Sequence, residues 1–347
     1  MGTYDRVAGL PLRIDSSSSE VRSLAVSSGF TRVTTVVRLH GLGEEGIGED
    51  VTYAAAAHDG APRPELEGRW KSLDAFSVGL GELDLFGAKP EHSVWRNYRR
   101  WAYEAAALDL ALRQAGATLA EVLDREAQPV QFVVSMRLGD PPSIDGVEGW
   151  LALYPGLRFK LDATPDWDDE LLAALAATQA VDSIDLKGAY RGTIVDNPAD
   201  ADLYRRVAEA FPEAWIEDPD LSDAAADEAL TPHRDRITWD AIIHSVDDIE
   251  ALPFQPRMLN VKPSRFGSVR ALLDAYDHCV TQGIEAYGGG QFELGPGRGQ
   301  IQYLASLFSP DAPNDVAPGG FNSSQPEPGL PTSPLAPAPA ATGFRWG

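Results

Sequence analysis

From residue 129 onward the chain alternates short apolar runs with helical patterns, and few folds accept that rhythm. The predicted strands are 130–135, 157–162, 180–186, 214–217, 236–240, 257–262 and 284–290. Helices are predicted between them at 143–153, 166–178, 198–211, 222–233, 245–252 and 268–282, and a seventh at 297–308 follows the last strand. A unit of about 30 residues suits parallel strands joined by crossover helices. A doubly wound open sheet would alternate likewise. Nearly every strand here ends in a polar tip, however, and an open sheet exposes only the tips at its switch point. The pattern therefore favours a closed (β/α) barrel, which gathers all its strand tips at one face.

The first 128 residues read differently. Residues 30–40 (FTRVTTVVRLH) alternate and are rich in β-branched side chains, and GLGEEGIGED follows as a glycine-rich hairpin with a return strand at 51–57. The serine-rich stretch 16–29 reads as a mobile loop, either a linker or a lid. A weak helix is expected around 76–86. A strong one is expected between a capping Ser93 and a terminating Gly116, with Trp101, Ala105, Leu108 and Leu112 as its buried stripe. After residue 321 the composition collapses to Pro, Ala, Ser and Gly. That stretch ends in Gly343-Phe344-Arg345-Trp346, and two aromatics suggest that the end docks, running extended across the first domain.

The formal net charge of −23 repels nucleic acid and anionic membranes, which are excluded as main partners. Cys279 is the only cysteine, which excludes an internal disulfide framework and suits a reducing cytoplasm. No apolar run suggests a leader or a membrane span. Of the 29 basic residues only five are lysines: Lys71, Lys89, Lys160, Lys187 and Lys262. Arginine keeps its proton at working pH, whereas lysine can release one when its pKa is lowered. Three of the five fall at predicted strand ends. The bland reading is that they are leftover salt-bridge partners.

The strand ends read Lys160-Leu161-Asp162, Asp185-Leu186-Lys187, Glu217-Asp218-Pro219, Trp239-Asp240 and Lys262, with Gln291 and Glu293 after the seventh strand. Asp185, Glu217 and Asp240 are spaced 32 and 23 residues apart, each interval suiting one βα unit. Carboxylates that close resist joint ionisation, and a divalent cation relieves the repulsion. Oxygen-only ligands suit Mg2+. Lysines on the second and sixth strands would flank the ion. This arrangement suits removal of the proton α to a substrate carboxylate, with the cation stabilising the resulting charge.

These residues carry a resemblance. The whole chain resembles the enolase superfamily, in its muconate-lactonizing and mandelate-racemase-like branch. Gly46-Ile47-Gly48-Glu49 is similar to the family's glycine-acid turn, and YEAAALDLAL at 103–112 to its helix entering the barrel. Phe159-Lys160-Leu161, Asp185, Glu217 in IEDP, Asp240, Lys262 in VKPSRFG and the segment 292–308 follow in the family's order. The resemblance implies a modified (β/α)7β TIM-type barrel over 129–321 and an α+β capping domain over 1–128, joined by the tail 322–347. It implies Lys160 and Lys262 as catalytic groups and Asp185, Glu217 and Asp240 as ligands of Mg2+. Asp162, Lys187, Gln291 and Glu293 would bind substrate or support the site.

The implied function is a lyase or isomerase acting on a small carboxylate: a cycloisomerase, an o-succinylbenzoate synthase-like enzyme, a racemase or an acid-sugar dehydratase. It would be cytoplasmic and a homo-oligomer. The alternative is a non-catalytic or metal-free carboxylate-binding barrel. Two positions depart from the family. Its second-strand motif is Lys-x-Lys, and here the second lysine is Asp162. Its third strand has Asn two residues after the ligand Asp, and here that residue is Lys187. The two changes would be complementary if Asp162 and Lys187 pair across adjacent strands. Four carboxylates against three lysines would then leave less demand for Mg2+. A register slip, making Lys160 the catalytic lysine, is the other reading.

Overall fold

A computed structural model describes residues 2–25, 30–190, 197–323 and 325–347. Seven short parallel strands form the wall of the second half: Val134–Arg137, Phe159–Asp162, Val181–Asp185, Trp215–Glu217, Ile237–Thr238, Met258–Val261 and Glu285–Gly288. The first five pair in order, as do the last two. The Asn260 N–H donates to the Trp239 carbonyl at 3.1 Å and joins the two sets. Closure comes from a short eighth segment: Asp315 bridges Gly289 on one side and Asn314 bridges Phe132 on the other, both parallel. The sheet is therefore a barrel and not an open, doubly wound sheet.

Helices Asp145–Leu153, Asp169–Ala177, Ala201–Ala210, Ala224–Leu230, Val246–Glu250, Val269–Gln282 and Pro296–Phe308 follow the strands in turn. Asp168, Asp200, Asp223, Ser245 and Ser268 each accept backbone N–H groups at the start of their helices. Aspartate there both caps the helix and meets the positive end of its dipole, so part of the chain's acidity is helix architecture. The first strand lies further along the chain than predicted. Residues 130–133 are apolar but for Gln131, yet Val130 and Phe132 make only isolated bridges, to Leu335 and Asn314.

In the first half an antiparallel sheet is built from Ser16–Ala25, Thr31–Gly41 and Glu44–Asp50. Helix Trp95–Ala115 lies across it. Gly46 and Gly48 permit that approach: a Cβ on either would sit about 2 Å from a helix carbonyl, of Ala106 or Ala102. Gly116 ends the helix in the left-handed conformation, as the sequence predicts, but the start is at Val94, with no side-chain cap from Ser93. The weak helix runs Leu73–Gly81, capped by Ser72. The predicted loop 16–29 is corrected over 16–25, which is a ten-residue edge strand; 26–29 lie outside the described residues. That strand is exposed along almost its whole length, so it shows no apolar alternation to betray it.

The tail is held along its course. Leu335 pairs with Val130, and Phe344 is fully buried between Trp101 and Tyr303. The Phe344 N–H and the Arg345 guanidinium both donate to Asp109 of the long helix, at 2.8 Å each. Among the described residues no helix is long and apolar enough to cross a membrane.

Candidate active site

Strand register sets the site. Asp162 pairs with Asp185, and Asp185 with Glu217, so three carboxylates stand side by side at the C-terminal ends of the second, third and fourth barrel strands. Two residues earlier Lys160 pairs with Ser183 on the same face, while Leu161, Ile184 and Ile216 turn outward into the hydrophobic core. Asp185, Glu217 and Asp240 are completely buried, and Lys160 is 2% exposed.

Each carboxylate has a cation. Lys160 donates to Glu217, lies 3.5 Å from Asp185 and reaches Asp315 at 3.7 Å. Tyr287 of the seventh strand donates to the other Glu217 oxygen. Lys187 donates to Asp185 and pairs with Asp162 at 3.2 Å, the cross-strand pairing that the two departures from the family pattern suggested. The strand stops at Asp185, however, so Lys187 does not reach the site by strand alternation. It sits beyond the strand with φ +55, and its own N–H donates to Asp185 at 3.0 Å. On the far side Asp240 accepts from Lys262 at 2.8 Å, from Tyr190 at 3.1 Å and from Arg265 at 3.2 Å.

Burial works against these charges and the pairs oppose it. Burial pushes the Asp185 carboxyl up, yet Lys187 and Lys160 hold it down at about 2. Burial likewise acts on Asp240, which Arg265 and Lys262 hold well below the ordinary range. Burial would also strip the Lys160 proton, but Glu217 and Asp185 keep that ammonium well above its usual value. Glu217 goes the other way. Burial dominates over Lys160, and its carboxyl is raised well above normal.

Sequence reasoning missed several members. Asp218, next to Glu217, brings an oxygen within 4.8 Å of those of Asp185 and Glu217, and among the described residues these three, without the expected Asp240, form a cluster able to hold a metal ion. Both Asp218 oxygens are nevertheless engaged, accepting the N–H groups of Asp240 and Ala241 at 2.9 Å. Asp240 has one buried oxygen, Oδ1, with no hydrogen-bond partner among the described residues. The donor set of carboxylates with an orphaned oxygen fits a hard divalent cation. Arg265 and Tyr287 carried no signal. One lies in the short helix Pro263–Phe266 past the strand end, and the other reads as an ordinary aromatic strand residue. Gln291 and Glu293 lie toward the first half of the chain. The Gln291 N–H donates to Glu293 at 2.7 Å, Tyr53 donates to the Gln291 side chain, and Arg298 lies 3.6 Å from Glu293.

Family models described as the N-terminal and C-terminal domains of a domain of unknown function (DUF8230) match residues 5–122 and 126–323. An o-succinylbenzoate synthase of Geobacillus kaustophilus is 26% identical over 294 residues, spanning 79% of this chain and 74% of the relative. An N-succinylamino acid racemase of an Amycolatopsis species is 29% identical over 298 residues, spanning 81% and 76%. Among solved structures, a dipeptide epimerase from Methylococcus capsulatus complexed with Mg ion superposes with a TM-score of 0.67 at 18% identity. The match covers 90% of this chain and 92% of that one.

Proposed function

The chain belongs to the DUF8230 family and has the cap-and-barrel fold of the enolase superfamily, and from that premise we propose that it is a lyase or isomerase that moves the proton α to a substrate carboxylate. The observation that carries this reading is the ordered row of strand ends. Lys160 stands on the second strand and Lys262 beyond the sixth, with the buried carboxylates of Asp185, Glu217 and Asp240 between them in the order of the chain.

Asp185 and Glu217 would hold Mg2+ together with the free oxygen of Asp240, which lies outside their cluster and would have to move in. Asp218 serves instead to fix the turn that carries Asp240. Bound there, the ion would polarise the substrate carboxylate and make its α-proton more acidic. Lys160 and Lys262 are fixed by their carboxylate partners on opposite sides of this row, and they form the acid–base pair that takes and returns the proton. The substrate is a small carboxylate, and N-succinylated amino acids are the first to try, after the named racemase. The single buried Cys279 suits action in a reducing cytoplasm.

The test is exchange of the substrate α-proton in deuterated water, followed by NMR. With Lys262 as acid or base, Lys262→Arg keeps the charge but loses exchange by on the order of 10²-fold or more. If the ammonium acts only electrostatically, the arginine variant retains much of the exchange while Lys262→Ala does not. A panel of carboxylates that bind without exchanging would support the metal-free binding barrel and sink the enzyme reading.

A further inference from the structure

Lys187 brings a positive charge to the carboxylate row, and the position it occupies is poorly suited to lysine. Its φ of +55 lies in the left-handed region, which asparagine enters more readily than lysine does. The backbone around it is pinned. The Lys187 N–H donates to Asp185, the Gly188 N–H donates to the Asp218 carbonyl at 2.9 Å, and the Tyr190 N–H returns to the Lys187 carbonyl at 3.2 Å. At Gly188 a Cβ would sit 2.5 Å from the Asp220 nitrogen, so the backbone here packs directly against the turn that follows Asp218. A residue that carries backbone strain in so closely packed a seat is kept for its side chain. That side chain puts its ammonium on Asp185 and Asp162 together, with the Tyr190 ring 5.1 Å away. It is 16% exposed, the most open of the three lysines around the row.

We propose that Lys187 is a tethered counter-ion of the metal site: its ammonium neutralises Asp185 and Asp162 and thereby weakens the hold of the row on a divalent cation. The inference rests on the reading of Asp185 as a metal ligand. A carboxylate oxygen bound to an ammonium is a poorer ligand, and a fixed positive charge a few ångströms from a divalent ion repels it. The cluster therefore stays folded and compensated without metal, and the ion binds as an exchangeable partner of the site. Asp162 belongs to the same device, because it holds the ammonium on the side away from Glu217.

The full-length protein, stripped with EDTA, is titrated with Mg2+ alone by calorimetry, and its melting temperature is measured with and without the ion. Lys187→Asn should bind Mg2+ about tenfold more tightly or better. It should also melt lower than wild type in EDTA and regain stability with Mg2+, while the wild-type melting temperature barely responds. Lys187→Arg, which keeps the charge, should behave like wild type. Lys187→Gln, close to lysine in length, gives the same reading should the asparagine variant not fold. Equal and tight Mg2+ affinity in all of these proteins overturns the role of Lys187 and leaves the metal-assisted reading standing. Binding in none of them overturns both.

Discussion

Asp218 shows how far burial decides the behaviour of single residues at this barrel mouth. Burial, with Asp240 and Asp185 beside it, pushes its carboxyl up to about 7. The folded protein then keeps a proton that the unfolded chain releases near pH 4. The stability that this residue contributes is complete below about pH 4 and is lost as pH rises through about 7. Asp218→Asn should therefore flatten the decline in stability over that range, seen in denaturant melts of metal-free protein. An unchanged slope would mean that Asp218 is already ionised in the fold. The residues that could be found from sequence alone, Lys160, Asp185, Glu217, Asp240 and Lys262, share one property. Each is a charge at or near the polar end of a predicted strand, which is visible without coordinates. Asp218 sits beside such a charge and Arg265 past a turn, and only the folded backbone brings them to the row.

Among the elements, a buried arginine spans the join between the antiparallel sheet and the barrel. Arg32 is fully buried and donates to the carbonyls of Val33, Val51 and Thr52 on its own side and of Gln291 and Phe292 on the barrel side. Arg32→Met should cost about 3 kcal/mol or more, because the carbonyls left unpaired stay buried. Chemical denaturation would check the size of the loss. Arg32 shares a strand face with Thr34, Arg38 and His40, so nothing in the sequence marks it as a buried residue with five backbone partners. The barrel's alternation was legible because its strands are apolar and its helices amphipathic. The strand Ser16–Ala25 was not, because it is held by backbone pairing to Thr31–Gly41 while its side chains face water. Pairing of that kind leaves no mark on composition.

At the scale of the whole molecule, the tail ties the two halves together. Phe344 packs between Trp101 of the long helix and Tyr303 of the last barrel helix, and Phe344→Ala should lower stability by about 3–5 kcal/mol. A thermal melt no different from wild type would show that the tail contributes little. The barrel wall itself is uneven. Five strands run as a continuous ladder, but the wall between the seventh strand and the first is made of isolated bridges at Asn314 and Asp315. Buried Asn314 stitches that seam, accepting from the Gly288 N–H at 2.6 Å and donating to the Gln131 carbonyl at 2.9 Å. Isolated bridges open more easily than a ladder, so amide hydrogens at Val133, Gly288 and Asp315 should exchange with solvent before those of the second and third strands. Asp315 is also one of the three carboxylates around Lys160. Each opening of the seam thus takes a negative charge away from that lysine, and the breathing of the wall becomes a fluctuation in the field at the proposed proton-transfer site.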